Sequence, residues 1–180
     1  MALSPGTHSV GPDAGSFRVH TYREGVAQKA GHDLIIEVGQ WRASVQVGQD
    51  GSPTAVSFEA DPRSLQIVEG RRGVKPLTDS DRADIRSNID EKVLRGQPIS
   101  FNSSAVDLAD GRMVVRGELT IAGRTKPASF ELRLGDDGRV IGTLEVTQTE
   151  WGIKPYRAFM GALKVRDTVE VVLDAKLPAA

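Results

Sequence analysis

Residues 99–121, with the sequence ISFNSSAVDLADGRMVVRGELTI, contain two apolar-rich runs that are separated by the short polar stretch Ala-Asp-Gly. An Asp-Gly pair between two such runs is a strong β-hairpin signal. The same arrangement recurs downstream, where ASFELRL (128–134) and RVIGTLEV (139–146) flank GDDG. This part of the chain therefore predicts two antiparallel hairpins.

Alternation of apolar and polar residues extends to both ends of the sequence, as is typical of strands that bury one face. It is visible in SFRVHTY (16–22), HDLIIEV (32–38), WRASVQV (41–47) and TAVSFEA (54–60). A last hairpin is predicted between GALKV (161–165) and TVEVVLDAKL (168–177) across Arg-Asp. These patterns predict eight to ten short strands, most of them in hairpins.

Two segments, 61–98 and 147–162, lack this alternation of apolar and polar residues. The first contains one predicted helix over residues 80–94, which Ser80 or Asp79 can cap. A narrow apolar stripe recurs every four residues along this helix, at Ile85, Ile89 and Val93. Both segments are expected at the ends of the sheet structure, as lids or plugs.

The predicted fold class is all-β, with one short helix in a single domain over residues 1–180. Residues 1–15 are expected to be flexible or peripheral. Antiparallel sheets of this kind fold into a sandwich or close into a barrel. We favour a barrel of about eight strands, whose interior is just wide enough to be filled by side chains or to hold one small ligand.

Composition excludes several classes of function. The net charge of -1 argues against nucleic-acid binding, and the absence of cysteine excludes disulfides and zinc–thiolate sites. No apolar segment is long enough for stable membrane insertion. The N-terminus lacks a signal-peptide pattern and begins with Met1, so a cytoplasmic protein is expected. No Gly-x-Ser-x-Gly elbow or other nucleophile–base motif is present.

Four stretches resemble the YceI-like family. They are GELTIAGRTKPASFELRL (117–134), LRGQPISFNSSAV (94–106), EWGIKPY (150–156) and GALKVRDTVEVVLDAKL (161–177). The resemblance covers about residues 16 to 177. It implies a lipocalin-like antiparallel barrel that binds polyisoprenoids or fatty-acid derivatives, with no established catalytic residues. It also suggests a homodimer, although the ligand identity stays open.

Residues 147–165, TQTEWGIKPYRAFMGALKV, gather aromatic and cationic residues in one irregular segment, which suggests either the mouth of a pocket or a plug. The candidate lipid-binding residues are Leu65, Ile67, Ile85, Ile89, Phe101, Trp151, Ile153, Tyr156, Phe159 and Met160. The candidate headgroup-binding residues are Arg124, Lys154 and Arg157, since cations on loops suit a phosphorylated lipid.

His20 and His32 fall on adjacent predicted strands. If the intervening turn centres on Val26, the two imidazoles lie opposite each other and, with Asp33 nearby, could bind zinc or another divalent ion. The alternative is a cross-strand pair of partly buried polar residues.

Three functions are thus open. The chain could bind and carry or sequester a polyisoprenoid, quinone-like or fatty-acyl lipid, and apart from this bound lipid no cofactor is identified. It could instead be a small metal-dependent enzyme, or a structural barrel with a filled interior.

Overall fold

The computed structural model describes residues 4–177. Within them the chain forms fourteen strands, more than the eight to ten that we predicted, and one α-helix, α1, at Asp79–Asn88. The strands before the helix are β1 Gly6–Val10, β2 Gly15–Thr21, β3 Arg23–Glu24, β4 Asp33–Val38, β5 Trp41–Val47, β6 Pro53–Ala60 and β7 Leu65–Arg71. Those after it are β8 Ile99–Ala109, β9 Arg112–Ile121, β10 Arg124–Leu134, β11 Arg139–Thr147, β12 Arg157–Ala158, β13 Leu163–Val165 and β14 Thr168–Lys176.

Eleven of these strands form one antiparallel sheet in the order β1-β5-β6-β8-β9-β10-β11-β14-β2-β4-β7. The sheet curls into a half-barrel, with β1 and β7 as its two edges. The remaining strands form a small sheet in the order β12-β13-β3. The all-β class with one helix is confirmed, whereas the expected count of about eight strands is wrong. Strands of two residues are too short to show alternation, which is why β3 and β12 were not predicted as separate strands, whereas β13 lies within the predicted strand 161–165.

Two of the three predicted hairpins are present, because β8 pairs with β9 and β10 pairs with β11. The predicted pairing of β13 with β14 is wrong. Strand β13 joins β12 and β3, whereas β14 lies between β11 and β2. The pairing of β14 with β11 extends over nine residue pairs, and a three-residue segment cannot compete with that register.

The helix lies where the sequence predicts it, but its cap differs. Thr78 is the N-cap, and its hydroxyl accepts a hydrogen bond from the backbone N–H of Asp81 at 3.1 Å. The Asp81 carboxylate in turn accepts from the Thr78 N–H at 2.8 Å, which completes a capping box. Ser80 and Asp79 therefore lie inside the helix. The chain continues through a wider π-helical turn, Ile89–Leu94, and ends at Arg95 with a left-handed backbone.

Two strands occupy regions that the sequence left irregular. Strand β7 lies within the segment 61–98 and pairs with β4, with a register shift between Ile35 and Ile36. Strand β1 lies within residues 1–15 and pairs with β5, so this part of the N-terminal region belongs to the sheet. Both are edge strands in glycine-containing stretches, where alternation is a weak signal.

Aromatic rings from different strands contact one another in the buried core. The rings of Phe17 and Phe58 lie 4.5 Å apart between centroids, and Trp41 lies 6.2 Å from each of them. Phe101 and Phe130 make an edge-to-face pair at 4.8 Å. These contacts join β2, β5 and β6, and β8 with β10, so they fix the curvature of the sheet. Among the described residues, no helix is long and apolar enough to cross a membrane.

Candidate functional site

A cavity of about 710 Å³ lies between the concave face of the main sheet and helix α1. The sheet side is lined by Val19, Leu34, Ile36, Val38, Phe58, Leu119, Ile121, Leu144, Val146, Val169 and Val171. These residues occupy alternate positions along their strands, as expected for one face of a pleated sheet. The volume falls within the range of roughly 300–1,000 Å³ that is typical of small-molecule sites. The interior is therefore not filled by side chains, which argues against the structural barrel.

Helix α1 and the turn after it cover one side of the cavity. The predicted stripe of Ile85, Ile89 and Val93 faces the cavity, as does Leu94. The guanidinium of Arg82 donates a hydrogen bond to the backbone carbonyl of Ile67, which ties the helix to β7. The amphipathic helix thus turns its apolar stripe towards the cavity, and Asp81, Asp84 and Asn88 line the cavity beside that stripe.

The irregular segment after β11 covers another side, where Gln148, Ile153, Tyr156, Ala158, Phe159 and Leu163 line the cavity. Gln148 is buried, and its side-chain amide donates to the Arg166 carbonyl at 3.0 Å. Trp151 is buried but does not line the cavity. Gly152 has a φ of +70°, a left-handed conformation that lets the chain turn from Trp151 back to Ile153.

The sequence matches the YceI-like domain over residues 16–177. The chain belongs to the YceI-like family. Its fold is similar to that of Burkholderia cenocepacia BcnA, with 15% sequence identity, a TM-score of 0.63, and coverage of 91% of this chain and 96% of that one. It is also similar to a Campylobacter jejuni YceI protein, with 8% identity, a TM-score of 0.56, and coverage of 81% and 85%. At these identities the likeness concerns the fold. No curated protein shows significant similarity to the chain.

Six of the ten candidate lipid-binding residues of this YceI-like chain line the cavity: Leu65, Ile85, Ile89, Ile153, Tyr156 and Phe159. The other four, Ile67, Phe101, Trp151 and Met160, do not. The first three of those are packed in the core, whereas Met160 is fully exposed. Contact with a ligand stays a prediction for all ten. Alternation placed residues such as Val19 and Phe58 on the inward face, and that signal could have identified them as lining residues.

None of the three candidate headgroup cations lines the cavity. Arg124 packs over Gly152, because a Cβ on that glycine would lie 2.5 Å from the guanidinium carbon. Lys154 and Arg157 are exposed. Their role in binding a headgroup therefore stays a prediction that the cavity geometry does not support.

Three other cations, Arg23, Lys75 and Lys164, line the cavity and were not identified from the sequence. Arg23 donates to the backbone carbonyls of Gln28 and Gly31, each at 3.0 Å. The Lys164 ammonium lies 3.2 Å from the Glu24 carboxylate. Within the described residues, Lys75 makes no ion pair. No local motif marks these cations, because each reaches the cavity through a turn or a short strand.

The register contradicts the predicted pairing of the histidines. His20 lies opposite Ile35 on β4 and Glu170 on β14, and its imidazole Nδ1 is 3.4 Å from the Glu170 carboxylate. Since Val19 and Thr21 face the cavity, His20 points to the outer face of the sheet. His32 lines the cavity instead, and its Nε2 hydrogen-bonds to the Lys75 carbonyl at 2.6 Å.

The turn between β2 and β4 contains β3 and a 3₁₀ turn at Gln28–Ala30, so its centre is displaced from the position that the pairing required. Over residues 4–177, no group of three His, Cys, Asp or Glu side chains could hold a metal ion. Zinc binding by His20 and His32 stays a prediction. The two imidazoles do not lie opposite each other, so the geometry on which that prediction was based is absent.

Proposed function

We propose that this YceI-like chain binds one long apolar molecule in the cavity beneath helix α1 and carries or sequesters it. The observation that carries this proposal is the cavity of about 710 Å³, whose walls are formed mainly by valine, leucine and isoleucine. An apolar tail that buries a few hundred Å² would gain on the order of 10 kcal/mol before ordering costs, at about 25 cal/mol per Å². That gain is sufficient for retention without covalent attachment.

The ligand classes that suit this cavity are a polyisoprenoid, a quinone-like lipid or a fatty-acyl chain. All three have an unbranched or regularly methylated tail that fits between pleated apolar walls. The polar end would lie at the mouth, where the exposed Lys75 and Tyr156 line the cavity. Lys75 is the better candidate for contact with an anionic or carbonyl headgroup, because Arg23 and Lys164 already have partners.

The proposal is tested by native mass spectrometry of the protein purified from its own host. We expect a copurified mass of several hundred daltons that is lost on denaturation. A matched pair of variants then tests whether the copurified molecule binds in the cavity. Leu144→Trp places a large side chain in the cavity, whereas Thr143→Trp places it on the exposed face of the same strand. The first should lose the copurified molecule and the second should retain it.

Equal retention by the two folded variants would show that the molecule binds elsewhere on the chain. Absence of any bound mass, together with failure to take up added fatty acids or prenyl alcohols, would refute lipid carriage. Circular dichroism and thermal unfolding of both variants provide the folding control.

A further inference from the structure

Three segments surround the mouth of the cavity: residues 25–32, 70–77 and 152–166, here called the rim. Each contributes lining residues, and backbone or side-chain hydrogen bonds hold the segments together. The Ala27 N–H donates to the Ala162 carbonyl at 2.8 Å, which joins the first segment to the third. The bond from His32 to the Lys75 carbonyl joins the first to the second. The rim is therefore a continuous surface.

The rim concentrates the exposed apolar side chains of the protein. Of eight large exposed hydrophobic residues within the described part of the chain, five lie on the rim: Val26, Val74, Tyr156, Phe159 and Met160. Val26 is 96% exposed, Val74 is 74% exposed and Met160 is fully exposed. Exposed apolar side chains concentrated around the mouth of a cavity are typical of a binding surface.

The backbone at the tip of the third segment turns large side chains outward. Phe159 and Met160 have consecutive φ values of +50° and +56°, which are unfavourable for side chains of this size. Gly161 follows with a φ of +91°. A left-handed conformation at two bulky residues persists only where the surrounding structure enforces it, and such strain clusters at functional sites. The phenylalanine also lines the cavity, so the tip connects the mouth with the outer surface.

The rim is also strongly cationic. Its three segments contain eight lysine or arginine residues and no aspartate or glutamate, although the whole chain has a net charge of -1. Within residues 4–177, Lys29, Lys75, Lys154 and Arg157 make no ion pair, so their charges are free to meet an external anion. Acidic residues that directly flank the segments pair with three of the other cations: Glu69 with Arg71 at 2.8 Å, Asp33 with Arg72 at 3.5 Å and Glu24 with Lys164 at 3.2 Å. Asp81 and Asp84 of α1 also line the cavity.

We infer that the rim is a docking surface for an anionic lipid bilayer. Exposed apolar tips beside basic residues are the pattern of proteins that lie in the membrane interface, where the tips enter the headgroup–acyl boundary and the cations meet anionic headgroups. Docking would place the mouth against the lipid phase. This inference goes beyond the proposed function, because it assigns a surface and a partner that ligand binding does not require.

The test is flotation with vesicles of phosphatidylcholine, with and without added phosphatidylglycerol. We expect binding only to the anionic vesicles, with weakening as salt is raised. Lys154→Ala/Arg157→Ala should lower the partition coefficient at least about tenfold, since each cation near an anionic surface contributes several-fold. Phe159→Ser/Met160→Ser should lower it by a similar factor.

Matched controls exist on strands of the main sheet outside the rim. Lys126→Ala/Arg133→Ala removes two exposed cations, and Leu108→Ser/Ile141→Ser removes two exposed apolar side chains. Both should bind vesicles as the wild type does. Leu144→Trp, which fills the cavity, should also bind them, so that loss of ligand and loss of docking are separable.

Absence of vesicle binding by the wild type would overturn the inference, whether or not a lipid copurifies. Equal effects of the rim and control variants would overturn it too, because binding would then follow overall charge or hydrophobicity. Salt-sensitive binding to an acidic polypeptide without binding to anionic vesicles would assign the rim to a protein partner instead.

Discussion

The indole Nε1 of Trp151 donates a hydrogen bond to the backbone carbonyl of Leu119 at 3.2 Å, across 32 positions of sequence. This bond fastens the irregular segment after β11 to strand β9. It also explains why a buried tryptophan beside the cavity does not line it, since the ring is oriented towards the strand. Ile153, two residues later, turns into the cavity instead.

Replacing Trp151 with phenylalanine should lower the free energy of unfolding by about 1–3 kcal/mol, because the Leu119 carbonyl loses its donor in a buried environment. Retention of an apolar ligand should be little changed. Urea unfolding and native mass spectrometry measure the two effects. Trp41→Phe is the size-matched control. Loss of the bound ligand from a Trp151→Phe protein whose free energy of unfolding is unchanged would contradict the structural role.

Thr21 faces the cavity wall, and its hydroxyl is one of two buried side-chain polar atoms without a hydrogen-bond partner in the described part of the chain. Thr21→Val removes that unsatisfied group at constant volume, so it should raise the free energy of unfolding by about 1 kcal/mol. Thr149→Val is the control, because its hydroxyl donates to Asp167 at 2.5 Å and its loss should not stabilise. A destabilised Thr21→Val protein would show that the hydroxyl has a partner in solution.

Arg139 and Asp174 join β11 to β14 through two hydrogen bonds of 2.8 and 2.6 Å. The guanidinium lowers the pKa of the Asp174 carboxyl below its ordinary value of 3.8. Both side chains are more than a third exposed and screened by solvent, so Arg139→Ala should lower the free energy of unfolding only slightly at neutral pH.

Because folding depresses this pKa, the contribution is present above the ordinary value and is lost as pH falls through the lowered one. The stability difference between the wild type and Arg139→Ala should therefore shrink in acid. Urea unfolding from pH 7 to pH 3 measures it. Arg133→Ala, which removes an exposed arginine of β10, should show no such pH dependence, and a difference that grew in acid would exclude the ion pair as its source.

Gly73 lies against the imidazole of His32, so that a Cβ on the glycine would be 2.0 Å from Nε2. Gly73→Ala should therefore destabilise the protein by about 1–3 kcal/mol through overpacking. The double variant Gly73→Ala/His32→Ala should lose less free energy of unfolding than the two single variants lose together. The difference should be at least about 0.5 kcal/mol. Chemical denaturation measures this cycle. Strict additivity would show that the loop moves away from the histidine at little cost.

Much of the strand content was predictable from local signals. Alternation identified the inward-facing residues of β2, β5 and β6, and Asp-Gly turns identified the β8–β9 and β10–β11 hairpins. The helix stripe of Ile85, Ile89 and Val93 was also predictable, because helical periodicity within a short window specifies which side chains share a face. These features depend on neighbours in sequence, so a single sequence is enough to reveal them.

The sequence by itself determined an all-β chain with one amphipathic helix and an apolar inward face. Only the tertiary structure decided that β14 pairs with β11 and β2, that His20 and His32 face different sides, and that Arg23, Lys75 and Lys164 reach the cavity in place of Arg124, Lys154 and Arg157. The physical reason is that alternation fixes which face of a strand is buried but not what lies opposite that face. Whether inward side chains meet one another or enclose a cavity depends on the curvature of the whole eleven-stranded sheet and on the position of the helix above it.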